Sequence, residues 1–154
     1  MKLSVGADER THVTDAVVDE LRRRGHEVDL RGPLQPQRSE GEDTSWPAVA
    51  RQVAEAVAAG AADEGILFCW TGTGVSIAAN KVPGIRAALC ADAETARGAR
   101  LWNNANVLCL SLRLTSEVVA REILDAWFST RYNPNESDDA ALAALDAIEN
   151  DYSE

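Results

Sequence analysis

The stretch Cys69-Trp70-Thr71-Gly72-Thr73-Gly74-Val75-Ser76 sets a thiol beside a glycine-rich turn and two threonine hydroxyls. The apolar run before it, Gly65 to Cys69, reads as a buried strand, and Val75 to Asn80 reads as a short helix. A cysteine at a strand end, just ahead of a helix N-terminus, sits in a field that favours its thiolate. Gly72 and Gly74 let the backbone approach a ligand closely. The amides that follow can converge on one spot, an anion hole for a phosphate or for an oxyanion formed during reaction. A thiolate beside such a hole can take a proton alpha to a carbonyl while the amides hold the enediolate. A base works best with a pKa near the working pH, a condition a tuned cysteine meets. The turn is neither a Walker A loop nor GxGxxG. The competing reading of Cys69 is a small buried apolar residue, a common fate of free cysteine. Cys90 and Cys109, inside apolar strands, take that core reading.

The elements that must position this turn follow from periodicity and stop signals. Strands are expected over Lys2–Ala7, His26–Leu30, Gly65–Cys69, Ile85–Ala91 and Ala105–Leu110. Helices are expected over Val13–Arg24, Pro47–Ala59, Val75–Asn80, Ala93–Leu101, Ser116–Thr130 and Asp138–Asn150, with Arg31–Ser45 as a polar loop. Alternation of this kind predicts an α/β fold, a Rossmann-like three-layer α/β/α sandwich around a five-stranded parallel sheet. Ligands of such sheets bind beyond the carboxyl ends of the strands. Three segments fall at such ends: Asp8-Glu9, Cys69 to Gly74, and Ser111 to Arg113.

Composition narrows the function classes. The 154 residues fit one domain, and 45% hydrophobic content is ordinary for a packed core. The formal net charge of −10 opposes nucleic acid and anionic membrane, so an anion site has to be built locally. Three widely spaced cysteines and two histidines give no metal-ligand spacing, and no cofactor motif is present. No apolar run approaches the 20 residues of a membrane span, and the opening residues turn polar too soon for a secretory leader, so a cytoplasmic protein is expected.

With these residues in place, the chain resembles the ribose-5-phosphate isomerase B / galactose-6-phosphate isomerase family. The resemblance covers Met1 to about Tyr132 and is sharpest in Gly65 to Gly74, in Ser76 to Ala88 and in Asn103 to Leu108. It implies an aldose–ketose isomerase that works through an enediolate without a metal, with a sugar or sugar phosphate as ligand. Cys69 would be the base between C1 and C2, and Thr71 would assist proton handling at the sugar oxygens. Asp8 matches the acidic residue that touches the sugar hydroxyls. Trp70, Gly72, Thr73, Gly74 and Ser76 would line the anion hole, and Asn103 matches a sugar-contacting asparagine. The family's sites lie between two subunits. A homodimer or tetramer is therefore implied, with the last helix, about 138–150, packed on a neighbour.

The departures from the family pattern bear on specificity. Glu9 stands where a histidine normally follows the first-strand aspartate, and Trp102 stands where the ring-opening histidine precedes the asparagine. Arg113 matches a retained family position. The two arginines that normally grip phosphate correspond to Glu136 and Ala140. A unit charge pair about 4 Å apart is worth roughly 4 kcal/mol at an effective dielectric near 20, so reversing one sign costs a thousandfold or more in phosphate affinity. The expectation is an isomerase of altered specificity. The alternative is a sugar-binding or partner subunit of a heteromeric isomerase, with the missing arginines supplied in trans. Both tryptophans have a bland reading too, as packing or subunit contact, and Glu9 as a solvated loop charge.

Overall fold

A computed structural model describes residues 1–153. The strands are β1 (Lys2–Ala7), β2 (Glu27–Arg31), β3 (Glu64–Cys69), β4 (Ala87–Leu89) and β5 (Val107–Ser111). The helices are α1 (His12–Arg23), α2 (Trp46–Ala58), α3 (Thr73–Ala79), α4 (Ala93–Asn103), α5 (Glu117–Ser129) and α6 (Glu136–Tyr152). All strand pairs are parallel, in the order β2-β1-β3-β5-β4. Each expected strand and helix is present.

The two faces of the sheet carry separate cores. One gathers Val17 and Leu21 of α1, Ala96 and Ala99 of α4, and Ile123, Leu124 and Trp127 of α5 against Leu3, Val5, Phe68 and Leu110. The other gathers Val49 and Val53 of α2 and Val75 and Ala79 of α3 against Leu67, Cys69 and Cys109. The crossovers β1-α1-β2 and β4-α4-β5 move one way along the sheet over the first face. The crossovers β2-α2-β3 and β3-α3-β4 move the other way over the second. All four therefore share one hand, as the chirality of twisted strands requires. The chain leaves β1 over one face and β3 over the other, so a crevice opens between their carboxyl ends.

Local chemistry sets the helix starts. Thr11 caps α1 in a reciprocal box with Thr14. Asp92, Ser116 and Asn135 cap α4, α5 and α6 by accepting from backbone amides. Helix α2 lies close to the sheet because β1 and β3 present glycines to it. A Cβ on Gly6 would stand 2.6 Å from Val49, and one on Gly65 would stand 2.7 Å from Val53.

Several boundaries differ from the expectation. Helix α3 starts at Thr73, because Gly72 in the left-handed region serves as its cap and two fewer residues are spent on the turn. Strand β4 is only three residues long, since Ile85 and Arg86 are tied into the loop before it and Cys90 lies past its last pair. A 3-10 turn over Gly32–Leu34 interrupts the expected loop. Helix α6 runs from Glu136 to Tyr152, beyond both expected ends, and buries none of its residues.

Candidate active site

The carboxyl ends of β1, β3 and β5 lie side by side. Register pairs Ala7 with Phe68, the residues just before Asp8 and Cys69, and Cys69 is itself paired with Ser111. Paired residues of a parallel sheet face the same way, about 4.8 Å apart. Cys69 and Ser111 thus share the face covered by α2 and α3, and Asp8 follows Ala7 out of β1 at the same end of the sheet.

Cys69 is 5% exposed, whereas Cys90 and Cys109 are fully buried. Burial pushes the Cys90 thiol up to about 12, with Asp92 adding to the shift, and Cys109 shifts upward for the same leading reason. Asp8 is half-buried. Desolvation raises its pKa most, a backbone hydrogen bond opposes this, and the nearby charge of Glu9 adds to the rise.

Main-chain and side-chain bonds stitch β3 to β5 just past the Cys69–Ser111 pair. The Leu112 amide donates to the Cys69 carbonyl at 3.0 Å and the Arg113 amide to the Trp70 carbonyl at 2.9 Å. The Ser111 hydroxyl donates to the Trp70 carbonyl at 3.0 Å and accepts from the Leu114 amide at 3.1 Å. These bonds hold exposed Arg113 beside Trp70, which is 59% exposed. In the turn itself Gly72 has φ +75°, and a Cβ there would fall 2.5 Å from Leu89 and 3.0 Å from the Leu110 backbone. Only glycine satisfies both the dihedral and the space. The Thr73 amide donates to the Thr71 hydroxyl at 3.4 Å, and both threonines are exposed. Ser76 is half-buried one turn into α3.

The structure adds Trp46 to this group. It begins α2, and its ring lies 3.0 Å from where a Cβ of Gly74 would be, while 42% of the residue stays exposed. Trp46 therefore walls one side of the glycine turn. No local pattern marks it; its place follows from how α2 packs on α3. Nearby cations are committed elsewhere: Arg10 pairs with Asp15 at 2.8 Å and Arg31 with Asp29 at 2.5 Å. Among the described residues Arg113 makes no ion pair.

Trp102 and Asn103 are not brought to Cys69 within the chain. Helix α4 runs antiparallel to the strands, so its last residues lie at the amino end of the sheet, where Arg100 bonds Glu64, the first residue of β3. Five strand steps separate Glu64 from Cys69, about 16 Å. The Trp102 ring folds back on Gly98, whose Cβ would meet it at 2.8 Å, and Arg97 stands 5.5 Å over the ring. Trp102 still shows 52% of its surface, and Asn103 is exposed. A cavity of about 1120 Å³ lies beside them, between α4, β4 and α6, and is not lined by Cys69.

Glu136, at one of the two positions where the family pattern has a phosphate-gripping arginine, has other work. Glu136, Asp138 and Asp139 fill the first turn of α6, where the helix dipole favours negative charge. Asp139 also accepts from the Tyr132 hydroxyl. Among the described residues no three His, Cys, Asp or Glu side chains cluster as a metal site requires. No helix there is long and apolar enough to cross a membrane.

Known proteins share the chain's sequence pattern and fold. The chain is 37% identical over 153 residues to galactose-6-phosphate isomerase subunit LacB of Clostridium acetobutylicum, covering 98% of this chain and 86% of that protein. It is 43% identical over 116 residues to ribose-5-phosphate isomerase B of Escherichia coli K12, covering 75% and 74% of the two. Ribose-5-phosphate isomerase B of Clostridium thermocellum superposes with a TM-score of 0.88 at 36% identity, covering 99% of this chain and 100% of that one. The sequence pattern of the Ribose/Galactose Isomerase family matches residues 3–145, and with a shared five-stranded fold the chain belongs to that family.

Proposed function

We propose that this protein interconverts an aldose and a ketose through an enediolate, with the Cys69 thiolate as base. The thiolate takes the proton from C2 of the open-chain aldose, and the C–H electrons form the C1=C2 bond. The charge moves onto the carbonyl oxygen, where the amides of the Trp70 to Gly74 turn receive it. Thr71 relays a proton between the two sugar oxygens, and the thiol returns its proton to C1. Asp8, beside Cys69, accepts from the sugar hydroxyls and fixes the reacting carbons over the sulfur. The observation that carries the reading is Cys69 at the carboxyl end of β3, paired with Ser111 and running straight into the glycine turn that caps α3, beside the end of β1 from which Asp8 follows.

The same reading places a second copy of the chain over the strand ends that carry Cys69. Asn103 and Trp102, at the opposite end of the sheet from their own Cys69, reach the Cys69 of another subunit. Helix α6, none of whose residues is fully buried, then packs on the neighbour. The relatives are named for tetrose, pentose and hexose phosphates. Here the acidic first turn of α6 and the loss of a histidine at Glu9 and Trp102 favour a sugar whose far end is not gripped as a phosphate. Arg113 is the remaining unpaired cation near the turn.

A second reading is favoured by the relative that is named as a subunit: the chain works with an unlike partner that supplies the missing cations. One panel separates the readings. Free and phosphorylated pentoses and hexoses are incubated in D2O, with isomerisation and deuterium at C2 both followed. Turnover by the purified chain, lost in Cys69→Ala with an unchanged circular dichroism spectrum, supports the first reading. Retained turnover in Cys69→Ala overturns it. Turnover that appears only on adding a homologous chain supports the second.

A further inference from the structure

The chemistry above makes no use of Arg100, yet this arginine is 7% exposed and fully engaged. Its Nη2 donates to Glu64 Oε1 at 2.6 Å, its Nη1 to the Ala105 carbonyl at 2.5 Å, and its Nε to the Thr130 carbonyl at 3.4 Å. The guanidinium lies 4.7 Å over the ring of Trp127. Trp127 in turn donates from Nε1 to Glu64 Oε2 at 2.7 Å. One planar cation therefore joins the start of β3, the end of α5, and two chain reversals.

Those two reversals are the ones with a stake in the site. Ala105 closes the corner that displays Trp102 and Asn103, and Thr130 opens the segment that leads into α6. The corner is conformationally demanding: Asn104 has φ +45°, the sole non-glycine residue with positive φ among those described. Its carbonyl accepts from Arg86 Nε at 2.7 Å, so the corner is held from both sides. A buried ion pair is weak evidence for stability, since apolar replacement is often neutral or better. What an apolar group cannot do is fix three acceptors in one plane, and a lysine, with its point charge, cannot either.

We infer that Arg100 is a positioning residue: it locks the Asn103 corner and the approach to α6 into one rigid unit, which a second copy's Cys69 then meets. This rests on the two-chain site proposed above. The test is complementation between variants, followed as isomerisation of D-ribose 5-phosphate and of D-ribose. Arg100→Lys is expected to lose at least 30-fold in kcat/KM, with a raised KM. Its own Cys69 half is intact, so it is mixed with Cys69→Ala, dissociated and reassembled. Half the assemblies are then mixed pairs, and one site in each is wild type, so about a quarter of wild-type activity should return.

Asn103→Ala mixed with Cys69→Ala is the control. If the control recovers activity and Arg100→Lys does not, the shared site stands and the role of Arg100 falls. If neither recovers, the shared site fails and takes the inference with it. Absence of wild-type turnover on every sugar of the panel removes both. Should Arg100→Lys unfold at the assay temperature, Trp127→Phe, which removes the bond to Glu64 and part of the ring beneath the guanidinium, runs the same mixture with an expected 3- to 10-fold loss. Full activity of Trp127→Phe and of Arg100→Lys alike would overturn the proposal.

Discussion

Asp8 and Cys69 each come one residue after the last β1–β3 ladder pair, Ala7 with Phe68, so they leave the sheet at the same end. Asp8 is half-buried there. Burial raises the Asp8 pKa above its ordinary 3.8. Above that value the unfolded chain gives up this proton before the native chain does. Stability therefore falls as pH rises through the window from 3.8 to the raised native value. Asp8→Asn is expected to be more stable than wild type at pH 7 and to lose that advantage by pH 3.5. Turnover should drop about 10- to 100-fold, the scale of one positioned polar group. Urea unfolding at the two pH values checks the first, and an advantage that persists at pH 3.5 would sink it.

Gly72→Ala tests the turn. It places a methyl 2.5 Å from Leu89 at φ +75°. The left-handed conformation and the overpacking together predict a loss of about 2–5 kcal/mol. Denaturant unfolding measures it; a loss under 1 kcal/mol would mean the turn relaxes freely.

The buried thiols are expected to lower stability at alkaline pH. Burial keeps Cys90 protonated to about 12 in the native chain, against 9.0 when unfolded. Between those values the unfolded chain binds fewer protons, so stability falls with rising pH, by up to about 1.4 kcal/mol per pH unit for each such group. Cys90→Ala is expected to flatten the slope of unfolding free energy between pH 9 and 11. An unchanged slope would assign the alkaline loss to other groups. In the native chain at neutral pH, iodoacetamide should modify Cys69 alone, read by peptide mass spectrometry, because it is the thiol with exposed surface.

Glu136→Arg tests the ligand's anchor. Glu136 opens the acidic first turn of α6. If that turn faces the substrate's far end, inhibition by inorganic phosphate should strengthen several-fold, and KM for a phosphosugar should fall. KM for the free sugar should stay the same. Equal shifts for both sugars, or none, would place Glu136 outside the site.

Much of this was legible along the chain. The alternation of apolar strands with amphipathic helices determined the α/β class. The apolar run Gly65 to Phe68 followed by Cys69 and two glycines determined that a thiol sits at a strand tip ahead of a helix. These are local signals: periodicity reports which side of an element is buried, and glycine reports where the backbone bends. The tertiary structure alone decided who the neighbours are. Insertion of β5 between β3 and β4 brings Ser111 and Arg113 to the turn, and the register of β1 on β3 brings Asp8 to the same end of the sheet as Cys69. The packing of α2 on glycines brings Trp46 over Gly74, and the antiparallel course of α4 carries Asn103 to the far end of the sheet. Pairing between distant segments depends on the whole set of competing contacts, and no window of sequence contains it.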